Sequence, residues 1–139
     1  MSNLKVTNIQ SNGTGFNDVV SFQNASGTQN GTLCRAFVNF NGTGTVAIRA
    51  SFNVSSITDH GGGDYAANFS NNMPDANYCA NATTGRSPND RLAAVCFQSS
   101  PATSNIRIQT STAQTVSGVT VVDSFSLTDK DQVHISVFR

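Results

Sequence analysis

The sequence predicts an all-β fold, an antiparallel β-sandwich or jelly roll of roughly eight to ten short strands. Three observations predict it. Asn, Ser and Thr number 16, 17 and 15, together 48 of 139 residues, and stand beside nine Phe and many β-branched residues. That mixture suits turns and half-buried strand faces rather than disorder. Apolar residues alternate with period two in several short windows, separated by Gly-, Pro- or Asn-rich punctuation at spacings of roughly 8–12 residues. Long runs of Leu, Ala, Glu, Lys and Arg, the material of helices, are nearly absent. The length predicts one domain over 1–139, with a short N-terminal arm over about 1–10.

Residues 3–9 form the first expected strand, and SNGTG turns the chain at 11–15. DVVSFQ at 18–23 is the second strand, and NASGTQNG at 24–31 is a loop by composition. Next, Cys34, Ala36, Val38 and Phe40 alternate, with Phe37 on the opposite face. Asn41-Gly42-Thr43-Gly44 follows, where Asn-Gly supplies the positive φ angles of a tight hairpin. Val46, Ile48, Ala50, Phe52 and Val54 then hold every second position, which predicts one long strand with a single buried face. Val46, Ile48, Phe52 and Val54 are therefore the expected core. Asp59-His60-Gly61-Gly62-Gly63-Asp64 reads as a second hairpin loop, and Tyr65, Ala67 and Phe69 alternate on the returning strand. Gly42 and Gly44, with Gly61, Gly62 and Gly63, are the expected turn formers. Met73-Pro74-Asp75 breaks that strand, 76–80 is a short one, and NATTGRSPND at 81–90 is a polar loop. Further strands are expected at 91–98, from Ile106 and within 116–125. Val133, Ile135 and Val137 tie the C-terminus into a sheet, with His134 on the polar face.

Chemistry is harder to find. Eight cationic and eight acidic side chains cancel, and charged residues are only 12% of the chain. Such a surface lacks the basic stripe of a nucleic-acid or anionic-membrane binder, so neither partner is expected. Cys34, Cys79 and Cys96 form no CxxC pair and read as three reduced, mostly buried thiols. A single His with two carboxylates in a glycine loop is a poor metal cage, so Asp59, His60 and Asp64 predict a turn and no metal. GGG at 61–63 is followed by neither Lys-Ser/Thr nor a helix, and no GxSxG elbow occurs. No catalytic group and no cofactor is expected. Seven Asn-x-Ser/Thr sequons, beginning at Asn12, Asn24, Asn30, Asn41, Asn53, Asn68 and Asn81, follow an N-terminus without a signal-peptide pattern. They are not read as glycosylation sites. The remaining expectation is a surface-binding loop at Asp59, His60, Asp64 and Tyr65, where Tyr65 and Tyr78 offer stacking faces to a sugar.

Residues 38–78, VNFNGTGTVAIRASFNVSSITDHGGGDYAANFSNNMPDANY, carry four motif elements: NFNGTGT, the strand IRASFNVSSITD, the hairpin GGGDY and the turn MPDANY. This span resembles a module of tailed-bacteriophage structural proteins, marine and cyanobacterial viruses above all, where it sits at the end of tail-fibre proteins. The resemblance implies a β-rich, commonly trimeric part of the virion exterior, made in the host cytoplasm, with no catalytic or metal residue to carry over. With no shaft or anchor segment visible, the expected role is capsid decoration (cement), partnered by itself and the major capsid protein. The alternatives are a tail-fibre or spike component that meets host glycan, with tail proteins as partners, and a free-standing carbohydrate-binding module.

Overall fold

Alternation carries this fold, because a strand between two others in a covered sheet must place every second side chain against the opposite layer. A computed structural model of the chain describes residues 19–24, 27–85, 93–97, 100–113 and 125–139. The strand expected at 3–9, the turn at 11–15, the N-terminal arm, and parts of the segments at 81–90 and 116–125 lie outside them. Among the described residues there are eleven strands and no helix.

Where one domain is expected, the chain divides into two units, residues 1–33 and 34–139. In the first, β1 (Val19–Asn24) pairs antiparallel with β2 (Gly27–Thr32). β2 replaces the loop expected at 24–31. Its sequence, GTQNGT, has no alternation to betray it, yet every position from Gly27 to Thr32 is in register with β1.

The second unit is a β-sandwich. One sheet has the order β4-β3-β11-β7, with β3 Cys34–Asn41, β4 Ala47–Phe52, β7 Cys79–Thr84 and β11 Val133–Phe138. The other contains β5 (Val54–Gly61), β6 (Asp64–Phe69), β8 (Ala93–Phe97), β9 (Asn105–Ala113) and β10 (Phe125–Leu127). Ile108 and Gln109 of β9 pair with both β6 and β8, while Ser111 and Thr112 pair with both β8 and β10. β6 and β10 therefore lie end to end along one edge of β9.

The core is what the two inner faces share. β3 contributes Ala36, Val38 and Phe40, and β11 contributes Val133, Ile135 and Val137. Opposite them are Tyr65, Ala67 and Phe69 of β6 and Ile106 and Ile108 of β9. Phe40 meets Tyr65 edge to face with ring centroids 5.2 Å apart, a favoured aromatic geometry across the two layers. Met73 and Tyr78, from the turn and the entry to β7, close one end, Tyr78 edge-on to Phe69 at 6.0 Å. Pro74 breaks the chain as expected, but the strand placed at 76–80 begins only at Cys79 and runs on to Thr84.

The long strand expected from Val46 to Val54 does not exist as one element. Two irregularities divide its apolar set. In β4 a register shift lets Asn39 face Ala50 and Phe40 face Ile48, so Arg49 is the extra residue of a bulge. Ala50 and Phe52 consequently share the outer face with Asn39 and Phe37, and Phe52 is 54% exposed. Ile48 stays on Phe40's side but sits at the sheet edge, 37% exposed. At Asn53 the backbone turns left-handed, φ 54°, and the chain crosses into the other sheet. Val54 then returns to the core, 7% exposed, and Val46 packs half-buried against it. Two of the four expected core residues, Ile48 and Phe52, are thus not core.

Asn53 is suited to its place, since asparagine tolerates the left-handed region better than most residues. Its side chain is wired in. Nδ2 donates to the Arg35 and Asn71 carbonyls, both at 3.1 Å, and Oδ1 accepts from the Asn71 N–H at 2.7 Å.

Candidate functional site

The residues expected to form a binding loop separate into two fates. Asp59 and His60 are exposed at the end of β5, and Asp59 Oδ1 accepts from the Gly61 N–H at 2.9 Å, a local Asx turn. Gly61 and Gly63 adopt φ of 125° and 69°, and Gly62 completes the turn between paired Gly61 and Asp64. Asp64 and Tyr65 belong elsewhere: they are structural, not surface binders.

Asp64 is 8% exposed. Arg107 grips its carboxylate in a fork, Nε to Oδ1 at 2.7 Å and Nη2 to Oδ2 at 2.9 Å, and Gln109 Nε2 adds a 3.0 Å bond. The Arg107 hydrogen bonds hold this carboxyl below the usual carboxylate range, against the opposing pull of desolvation.

Tyr65 is fully buried, so the ring expected to stack on a sugar is core instead. Its hydroxyl donates to Asp129 Oδ1 at 2.5 Å and lies 3.0 Å from the Gly42 carbonyl oxygen. Burial, with Asp129 beside it, pushes the phenol pKa well above its ordinary value. The same Asp129 oxygen accepts from the Gly63 N–H at 2.6 Å, and the Gly42 N–H donates to the Lys130 carbonyl at 2.8 Å. One end of the sandwich is therefore stoppered by the segment around 128–130, and two glycines make room for it. A Cβ on Gly42 would stand 2.6 Å from the Tyr65 hydroxyl, and one on Gly63 2.5 Å from the Thr110 carbonyl oxygen. Gly42 has no positive φ. It serves this close approach, while Gly44 (φ 64°) takes the left-handed turn and the Asn41 side chain bonds Thr43 in an Asx turn.

Tyr78 is buried too, its hydroxyl donating to the Ala102 or Asn105 carbonyl at 3.0 and 3.1 Å. Among the described residues no group of three or more His, Cys, Asp or Glu is placed to hold a metal ion. Cys34 is half-buried but Cys79 is exposed, against the expectation of buried thiols, and both are free.

The outer face of the four-stranded sheet offers more. Register alone builds a grid there. Phe52, Phe37, Ser136 and Asn81 form one cross-strand row, and Ala50, Asn39, His134 and Thr83 the next. The Phe37 and Phe52 rings stack at 6.3 Å and 28°, both exposed. Beside them Ser136, the smallest side chain in its row, leaves a hollow of about 230 Å³ lined by Phe37, Val38, Asn39, Asn81, Thr83, His134, Ile135 and Ser136. Asn39 Oδ1, at this hollow, is buried without a hydrogen-bond partner, alone in that among the described residues. Leaving a buried acceptor unmade costs about 1–3 kcal/mol, so such an atom calls for an explanation.

Sequence reasoning placed Phe37 and His134 off the core faces but did not bring them together. Their common surface is set by the order β4-β3-β11-β7, which joins segments about a hundred residues apart in the chain. Against known protein families, curated proteins and solved structures, the chain has no match.

Proposed function

We propose that the chain is a non-enzymatic structural protein of a phage particle's exterior, a capsid decoration (cement) protein that works as a closed homotrimer. The observation that carries this reading is β4. Among the described residues it is the edge strand of its sheet, all six of its residues are exposed, and its sequence AIRASF has one charge and no proline. An exposed, largely apolar edge can serve as a template for another chain, and closed symmetry is one way to cover it, although the Arg49 bulge already interrupts this edge. The likeness of residues 38–78 to phage modules supports the same reading. Those motif residues build the frame: the β3–β4 connection, the Asn53 crossing, the Asp64–Arg107 pair, the Tyr65 stopper and the buried Tyr78. A frame so built presents edges and faces to neighbours. Binding across shell subunits then stabilises the assembled head by mass action.

Gold-labelled antibody on intact virions, viewed by electron microscopy, tests the assignment. Label spread over the head is expected. Label confined to the tail would replace decoration by a tail-fibre role, and a monomer in sedimentation at micromolar concentration would remove the trimer.

A further inference from the structure

We infer that the hollow on the outer face of the β4-β3-β11-β7 sheet is a binding site for a neutral glycan. Its lining supplies the two things a pyranose ring needs. The exposed Phe37 ring, backed by Phe52, offers an apolar face against which the C–H side of a sugar packs. Asn39, Asn81, Thr83, His134 and Ser136 surround the hollow with uncharged or weakly basic hydrogen-bonding groups, and no carboxylate, Lys or Arg lines it. Such a site selects against sulfated or uronic polymers, because nothing there balances their charge.

Size agrees with this occupant. Three strands at a spacing of about 4.8 Å and two residue steps along each give a floor of about 10 by 7 Å, room for one or two sugar rings. Asn39 adds an independent sign. Its buried, partnerless Oδ1 is an acceptor that a sugar hydroxyl would satisfy after a small turn of the amide about its soft terminal torsion. A second copy of the chain is the competing occupant, because exposed Phe37 and Phe52 lie beside the hollow, and a protein concentration series separates the two. This site is distinct from the 59–65 loop, whose Tyr65 is buried in the core and whose Asp64 is engaged by Arg107. It does not depend on where in a virion the protein sits.

The test is affinity electrophoresis of the full chain through gels holding dextran, laminarin or galactomannan, with dextran sulfate as the charged comparison. NMR amide shifts are followed with the retarding polymer's oligosaccharide. Retardation by at least one neutral polymer is expected, with shifts centred on Asn39, Asn81, Thr83, His134 and Ser136. Phe37→Ala should weaken binding more than about tenfold, as for a stacking anchor. Ser136→Leu, which fills the hollow from its centre, should abolish it, with thermal melts showing that both variants fold. No retardation by any of the three neutral polymers would overturn the proposal. So would binding that survives Ser136→Leu in a folded protein, or retardation by dextran sulfate alone. Shifts at these residues that follow protein concentration and not sugar would make the hollow a self-contact and likewise overturn it.

Discussion

β3 and β4 lie side by side, both carry aromatic residues in a period-two pattern, and they meet opposite fates. In β3, Phe40 is fully buried; in β4, Phe52 is 54% exposed. Neither composition nor alternation distinguishes RAFVNF from AIRASF. Position does. β3 is flanked by β4 and β11 and covered by the second sheet, whereas β4 ends its sheet and carries the Arg49 bulge that turns Phe52 outward. A strand pattern states which side chains share a face; the neighbours decide whether that face is inside.

The largest effect should come from the covered strand. Phe40→Ala removes a ring packed edge-on to Tyr65 between two sheets, and should cost about 3–5 kcal/mol in urea unfolding. A loss under about 1 kcal/mol would mean that the sheets do not pack as described.

Asn53, where the chain leaves β4 for the other sheet, comes next. Asn53→Ala removes three side-chain hydrogen bonds and leaves a Cβ residue in the left-handed region, for an expected loss of about 1–3 kcal/mol. Asn53→Gly keeps the backbone comfortable and loses only the wiring, so it should be the milder of the two. Equal losses would assign the whole effect to the side chain.

Those two positions show how much was legible. The inner faces of β3, β6 and β11 could be read directly, because Ala36, Val38, Phe40, Tyr65, Ala67, Phe69, Val133, Ile135 and Val137 alternate and are buried. β2 could not, since GTQNGT is held by its pairing with β1 and carries no apolar face. The bulge at Arg49 leaves no mark on the pattern. Asn53 left a faint one: an asparagine inside an apolar alternation is a residue that tolerates left-handed backbone. The hollow on the outer face was illegible for another reason. Its residues are the outward halves of three strands, and only strand order makes them neighbours.

A pH series probes the opposite sheet, where Asp64 is gripped by Arg107 on the outer face. The depressed carboxyl contributes stability that is fully present above the ordinary aspartate value, about pH 4, and is lost as pH falls through its lower folded value. Asp64→Asn keeps the shape and removes the titration. Its urea midpoint should therefore decline less than the parent's between about pH 5 and pH 2.5. Parallel declines would show that the Arg107 pair carries no linked proton.

The smallest effect is expected at Phe52, and it separates the two strands most sharply. A reading of 46–54 as one buried face puts Phe52 in the core and makes Phe52→Ala as costly as Phe40→Ala. The bulge puts it outside, stacked on Phe37 at 6.3 Å and about half exposed to water. An aromatic pair adds about 0.5–1.5 kcal/mol beyond its buried area when desolvated, and half-exposed rings retain only part of that. The expected loss is under about 1 kcal/mol in the isolated chain. Repeating the measurement at concentrations where the proposed trimer would form divides the remaining possibilities. A cost that stays small means β4 pairs through its backbone and leaves the ring free beside the hollow. A cost that rises with assembly means a neighbouring subunit covers Phe52, so the apolar edge and the aromatic face would be one interface.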